Sequence, residues 1–97
     1  ESGDYGELET GDTVLSFASH ALGQMNFPDG YVKASEERVP LGMEIALVTT
    51  DVTKAHEAAM GLGAKEIRPP AIKPWGQTVS YITCPSGTLI ELCTPIP

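Results

Sequence analysis

The sequence predicts an α+β fold, with strands alone in its first part and the order strand, helix, strand, strand, strand in residues 42–97. Three observations carry this. Residues 43–50, Met43-Glu44-Ile45-Ala46-Leu47-Val48-Thr49-Thr50, form an apolar, β-branched run. Asp51 then opens a stretch in which Val52, Ala55, Ala59 and Leu62 recur at helical spacing. Residues 76–93 hold two strand-like runs joined by Pro85-Ser86-Gly87, a hairpin signal. Together they describe a βαβββ module: a curved, mixed sheet with the helix on its convex side.

Taken in chain order, Tyr5 to Glu9 and Thr13 to Ser19 are β-rich runs around Thr10-Gly11-Asp12, a short turn. From His20 to Leu41 the periodicity lapses. Pro28-Asp29-Gly30 and the charged stretch from Lys33 to Arg38 have the composition of a long surface connection, so we place the boundary between two halves there, with 1–41 a partial first module plus linker and 42–97 a complete second one. Asp51 is a helix N-cap, and Gly63 ends that helix in the left-handed region. Residues 64–67 are a short strand, after which Pro69, Pro70 and Pro74 keep the chain open until the closing hairpin.

Ninety-seven residues make one domain, large enough for a core. The net charge is -7 and only six Lys and Arg are present, scattered along the chain. Neither a nucleic acid nor an anionic membrane suits such a surface. No apolar run reaches the roughly 18 to 20 residues that span a bilayer, and Glu1-Ser2-Gly3-Asp4 opens with neither a basic nor an apolar leader segment. A soluble cytoplasmic protein is expected, with Cys84 and Cys93 as free thiols, since two cysteines in one hairpin make neither a disulfide framework nor a metal spacing.

Glu91 is the residue that stands out, a carboxylate among Leu89, Ile90 and Leu92. Placed on a core face it would be costly, so it must meet water, a cation or a cavity. Strand alternation puts Glu91 with Leu89 and Cys93 on one face, leaving Ile90 and Leu92 to face the helix. If Thr83 pairs with Leu89, Tyr81 lies opposite Glu91. Glu44 shares its face with Ala46 and Val48, small enough to leave room for a ligand, while Ile45 and Leu47 face the helix. Tyr81 either donates its phenolic proton to a bound oxyanion or satisfies a buried carboxylate. Trp75, between prolines and Gly76, is either a lid aromatic or a loop anchor. His56 reads as solvated and His20 as a surface loop residue. No nucleophile with a neighbouring base can be assembled, and no phosphate-cradling glycine loop is present.

The phrases Gly42-Met43-Glu44-Ile45-Ala46-Leu47-Val48, Asp51-Val52 with Gly61-Leu62-Gly63-Ala64, Pro74-Trp75-Gly76-Gln77 and Pro85-Ser86-Gly87-Thr88-Leu89-Ile90-Glu91-Leu92 in this order resemble a module of the vicinal oxygen chelate superfamily. That superfamily includes glyoxalase I, bleomycin-binding proteins and extradiol dioxygenases. The resemblance covers residues 42–97 well and 5–20 loosely. Members usually carry two modules, whereas this sequence starts at what resembles the second strand of the first; either it is a piece of a longer chain or a neighbour supplies the strand.

The resemblance implies a concave cavity that binds or transforms a small organic molecule. Metal-binding members place His, Glu or Gln on the opening and closing strands of both modules. The matching places here hold Glu44 and Glu91, with Ser16 at the equivalent place in the first half. Two carboxylates suit a hard divalent cation such as Mg²⁺ or Mn²⁺ better than Zn²⁺ or Ni²⁺. Glu91 and Tyr81 are thus the expected catalytic residues; Ser16, Glu44, Trp75, Gln77, Val79 and Tyr81 the expected ligand contacts; Glu44 and Glu91 the expected metal ligands. The functions that follow are glyoxalase-like lyase, isomerase or dioxygenase chemistry, metal-free sequestration of a drug or toxin, or a module whose purpose is pairing. A homodimer is expected, because an incomplete module leaves a sheet edge uncovered.

Overall fold

A computed structural model of the chain describes residues 3, 5–9 and 11–97. The chain divides into two units, Glu1–Lys33 and Ala34–Pro97, each of which is described by itself.

In the first unit, β1 (Tyr5–Glu9) and β2 (Val14–Ala18) form an antiparallel pair in which Tyr5 faces Ala18 and Glu9 faces Val14. The turn between them includes Gly11 at φ +96°, a value that glycine adopts without strain; Thr10 lies outside the described residues. The expectation of strands only is corrected by α1 (His20–Asn26). The segment carries its own start signal, since the Ser19 hydroxyl accepts from the Leu22 backbone N–H at 3.1 Å. None of its residues is buried, so it lacks the apolar stripe by which a helix is read in sequence. Tyr31 folds back on it: its hydroxyl stands 2.6 Å from His20 Nδ1, its ring stacks on the imidazole, and it occupies the space where a side chain at Gly23 would project.

The second unit opens with a single 3-10 turn, Ala34–Glu36, and then follows the expected order: β3 (Ile45–Val48), α2 (Val52–Gly61), β4 (Lys65–Ile72), β5 (Thr78–Thr83) and β6 (Leu89–Cys93). The curved sheet is mixed, in the order β3-β6-β5-β4, with β3 parallel to β6 and the other pairs antiparallel. Asp51 caps α2 by accepting from Lys54 N at 3.1 Å, and Gly63 follows the helix at φ +101°. The helix lays Val52, Ala55 and Ala59 on Ile82, Ile90 and Leu92, with Ile45 and Leu47 of β3 completing the core. Each fully buried aliphatic side chain contributes on the order of 1.5–3 kcal/mol, so these few residues hold the sheet and helix together.

Two similar loops set the register of the antiparallel strands. In Lys73-Pro74-Trp75-Gly76-Gln77 and in Cys84-Pro85-Ser86-Gly87-Thr88 the glycine N–H donates to the carbonyl three residues back, and the flanking residues close the hairpin. Proline presets the first turn position and the glycine, at φ +100° or +87°, supplies the left-handed one. Gly87 is constrained twice, because a Cβ there would fall 2.4 Å from the carbonyl oxygen of Ala34.

The strand after α2 is longer than expected. β4 runs through Pro69 and Pro70 to Ile72, with register irregularities between Glu66 and Arg68 and between Arg68 and Ala71. Prolines fit there because β4 is an edge strand and one irregularity absorbs the missing donors. In contrast, β3 is shorter than the apolar run 43–50, and Glu44 immediately precedes it.

Candidate active site

The register of β5 on β6 places Tyr81 opposite Glu91 and Thr83 opposite Leu89. The Tyr81 hydroxyl donates to Glu91 Oε1 at 3.3 Å. Parallel pairing of β3 sets Ala46 beside Glu91, and Glu44, at the mouth of β3, brings its carboxyl into hydrogen bonding with that of Glu91. Cys93, buried, lies next along the same face and its thiol contacts the Leu47 carbonyl at 3.8 Å. Glu44, Tyr81, Glu91 and Cys93 therefore gather on the sheet face opposite α2.

The electrostatics of the group follow from that gathering. The hydrogen bond to Glu91 raises the pKa of Glu44, with desolvation and the Glu91 charge acting in the same direction. Burial pushes the Tyr81 phenol up, assisted by the charges of Glu91 and Glu44. Burial likewise raises Cys93, and the Glu91 hydrogen bond and the two carboxylate charges add to it. Every shift favours the protonated form, as expected where acids crowd without a cation. Chemically the pair offers one carboxyl that donates and one that accepts.

A cavity of about 220 Å³ adjoins Glu44, walled by Leu41, Met43, Ile45, Thr88 and Leu89. Its walls are chiefly apolar and Glu44 is its carboxyl. Among the other expected contacts, Val79 is buried. Gln77 is 8% exposed and fully engaged, its amide donating to Thr94 O at 2.7 Å and its oxygen accepting from Trp75 Nε1 at 2.8 Å. Trp75 itself is 60% exposed. The pair anchors the loop before β5. Ser16 lies on β2 in the first unit, exposed and opposite Glu7.

The two expected metal ligands face each other, but among the described residues no group of three His, Cys, Asp or Glu side chains could hold an ion. A pair of carboxylates supplies part of the oxygen shell of a hard cation, the rest of which water or a ligand would have to complete.

One constellation escaped sequence reasoning. His56 is 4% exposed rather than solvated. Its Nδ1 lies 2.9 Å from Ser80 Oγ and its Nε2 lies 2.8 Å from Glu66 Oε2. Serine, imidazole and carboxylate thus stand in the order of a nucleophilic triad, an arrangement the sequence had not let us assemble. Ser80 is 0% exposed, however, so no substrate reaches its hydroxyl, and the array ties α2 to β5 and β4. The signal was the position of His56, four residues after Val52 on the helix stripe that enters the core.

The fold is similar to that of solved structures described as glyoxalase/bleomycin resistance protein/dioxygenase proteins. A glyoxalase-related enzyme from Fulvimarina pelagi superposes with a TM-score of 0.80 at 19% identity, over 98% of this chain and 67% of that one. A glyoxalase/bleomycin resistance protein/dioxygenase family enzyme from Burkholderia phytofirmans PsJN gives 0.71 at 18%, covering 97% and 73%. The bleomycin resistance determinant encoded on the transposon Tn5 gives 0.58 at 19%, covering 97% and 73%. No protein-family model matches the sequence, and no curated protein matches it. No helix among the described residues is long and apolar enough to cross a membrane.

Proposed function

We propose that this chain is a small-molecule-binding module that receives its ligand on the sheet face carrying Glu44, Tyr81 and Glu91. The observation that carries the reading is geometric: Tyr81 donates to Glu91 at 3.3 Å, and Glu44 stands near the same carboxyl, whose proximity raises the Glu44 pKa. Together these side chains present donors and acceptors, beside an apolar cavity for the body of a ligand. A molecule with an apolar part and an amine or other cationic group satisfies both features, and the net charge of -7 favours its approach. The fold shared with a bleomycin resistance determinant makes sequestration of a drug or toxin the specific form of this reading. Catalysis, with Glu91 as base and Tyr81 as proton donor, is the second form, favoured by the hydrogen bond that the Tyr81 hydroxyl donates to Glu91.

Calorimetric titration of bleomycin and a panel of apolar amines into the wild-type chain and Glu91→Gln tests the reading. We expect at least one amine to bind and to lose about tenfold or more in affinity in the variant, as removal of one partner of a charge-assisted hydrogen bond does. Equal affinity for the two proteins would remove Glu91 from the site.

A further inference from the structure

A second cavity, distinct from the one beside Glu44, lies across the 34–40 segment. Its volume is about 230 Å³, and its walls include Glu37, Arg38, Gly63, Lys65, Thr83 and Cys84. At roughly 30 Å³ per water-sized group, it holds a molecule of about eight non-hydrogen atoms.

The charge at this cavity runs against that of the chain. Of only six Lys and Arg, two line it, from separate elements: Arg38 after the 3-10 turn and Lys65 at the start of β4. Glu37 is the one acid in the wall, so the lining is net cationic in a chain of net charge -7. Among the described residues neither Arg38 nor Lys65 is in a salt bridge. An arginine and a lysine lining one open hollow suit a carboxylate or phosphate, which a guanidinium fork can hold through two hydrogen bonds.

The loop after Thr83, the strand partner of Lys65, also lines the cavity and is hydrogen-bonded internally. Cys84 Sγ lies 2.9 Å from Ser86 Oγ, which lies 3.2 Å from Thr88 Oγ1. Burial alone would raise the Cys84 pKa, but the hydroxyl and backbone N–H groups of Ser86 and Thr88 outweigh it and bring it below the ordinary thiol value. These groups stabilise negative charge on the Cys84 sulfur, which lines the same cavity as the two cations. At Gly87 the loop comes close to the Ala34 backbone, too close for a side chain.

We propose that this cavity is a second binding site, for a compact anion bearing a carboxylate or phosphate, held between Arg38 and Lys65 with the Cys84 thiol in its wall.

Alkylation of Cys84 in the full chain, followed by peptide mass spectrometry, tests this. Iodoacetate carries the carboxylate and iodoacetamide does not. The ratio of their rates at Cys84 is compared with the ratio at the same cysteine in urea, which removes intrinsic reactivity. The folded chain should favour iodoacetate by about tenfold, the order by which a like-signed cleft concentrates its counter-ion. Arg38→Gln and Lys65→Gln should each return the ratio towards the unfolded value. Both side chains are exposed, so the melting transition of each variant should match wild type; should one fail to fold, the other and the protection assay decide. Inorganic phosphate and acetate should slow the iodoacetamide reaction of wild type, and whichever acts at lower concentration identifies the anion class. A folded ratio equal to the unfolded one, a ratio indifferent to both substitutions, or protection by neither anion would overturn the proposal.

Discussion

His56 Nε2 stands 2.8 Å from Glu66 Oε2, joining the middle of α2 to the edge strand β4. A carboxylate only accepts, so Nε2 carries the proton and, in a neutral ring, Nδ1 accepts from the Ser80 hydroxyl 2.9 Å away. A polar pair in the core, at a place where most helices put an aliphatic residue, is tolerable because every buried side-chain atom in it has a partner.

Removing either partner should therefore be costly. Ser80→Ala leaves Nδ1 buried without a donor, and we expect a loss of about 1–3 kcal/mol. In a domain of this size about 1 kcal/mol moves the melting temperature by about 4–8 °C. A calorimetric Tm within about 2 °C of wild type would show that the array carries little of the fold's stability.

Glu44 makes a prediction about pH. Its pKa is raised in the fold, so the stability it contributes is fully present below the unfolded carboxylate value and is lost as pH rises through the folded one. Glu44→Gln keeps a hydrogen-bonding group but cannot ionise. The Tm of the variant relative to wild type should thus rise between pH 5 and pH 8, roughly the span above the unfolded carboxylate value. Because Glu44 is exposed, the effect should be small and should shrink in high salt. Thermal melts at matched ionic strength check it, and a difference that falls with pH would contradict the pairing.

The two proline-glycine loops should respond unequally to the same change. Gly76→Ala meets backbone strain at φ +100° and a Pro97 side-chain atom 3.2 Å away, which can shift. Gly87→Ala meets comparable strain and the Ala34 backbone at 2.4 Å, which cannot shift without moving the 3-10 turn. Positive φ alone costs a non-glycine residue about 1–3 kcal/mol. Urea denaturation should show Gly87→Ala to be the more destabilised of the two, and equal midpoints would argue that the turn moves freely.

Two sheet edges, β3 and β4, remain open within the second unit. We expect the chain to form a homodimer that covers one of them. Sedimentation at tens of micromolar, a concentration at which a standard-sized interface often holds, should show the dimer; a clean monomer would count against it.

Much of the second unit was legible because its signals are local. Asp51 and Gly63 mark the ends of α2 by rules that need only neighbouring backbone. The Pro-Ser-Gly loop dictates register, and from register and parity came Tyr81 opposite Glu91 and the separation of Glu44 from Ile45. What remained hidden depended on distant partners. His56 is buried only because Ser80 and Glu66 wait for it, and nothing near residue 56 announces them. β4 continues through Pro69 and Pro70 because it lies at an edge, which is a property of the sheet. α1 rests on Ser19 and on Tyr31, a residue beyond its end, and shows no apolar stripe. The cluster of Arg38, Lys65 and Cys84 comes from three separate segments.

The parallel pairing of β3 with β6 bears on the order in which the sheet closes. β4, β5 and β6 are joined by five-residue loops, so their pairing needs little chain closure, whereas Ile45 must find Ile90 across the rest of the module. Of the two edges, β3 is held by four residues and has no sequential neighbour in the sheet. It should join last and detach first, and amide exchange should be faster at Ala46 and Leu47 than at Ser80 and Ile82. Glu44 would leave with it. The contact of Glu44 with Glu91 would then be a latch on a hinged strand, and a molecule spanning the two would fasten that strand as it bound.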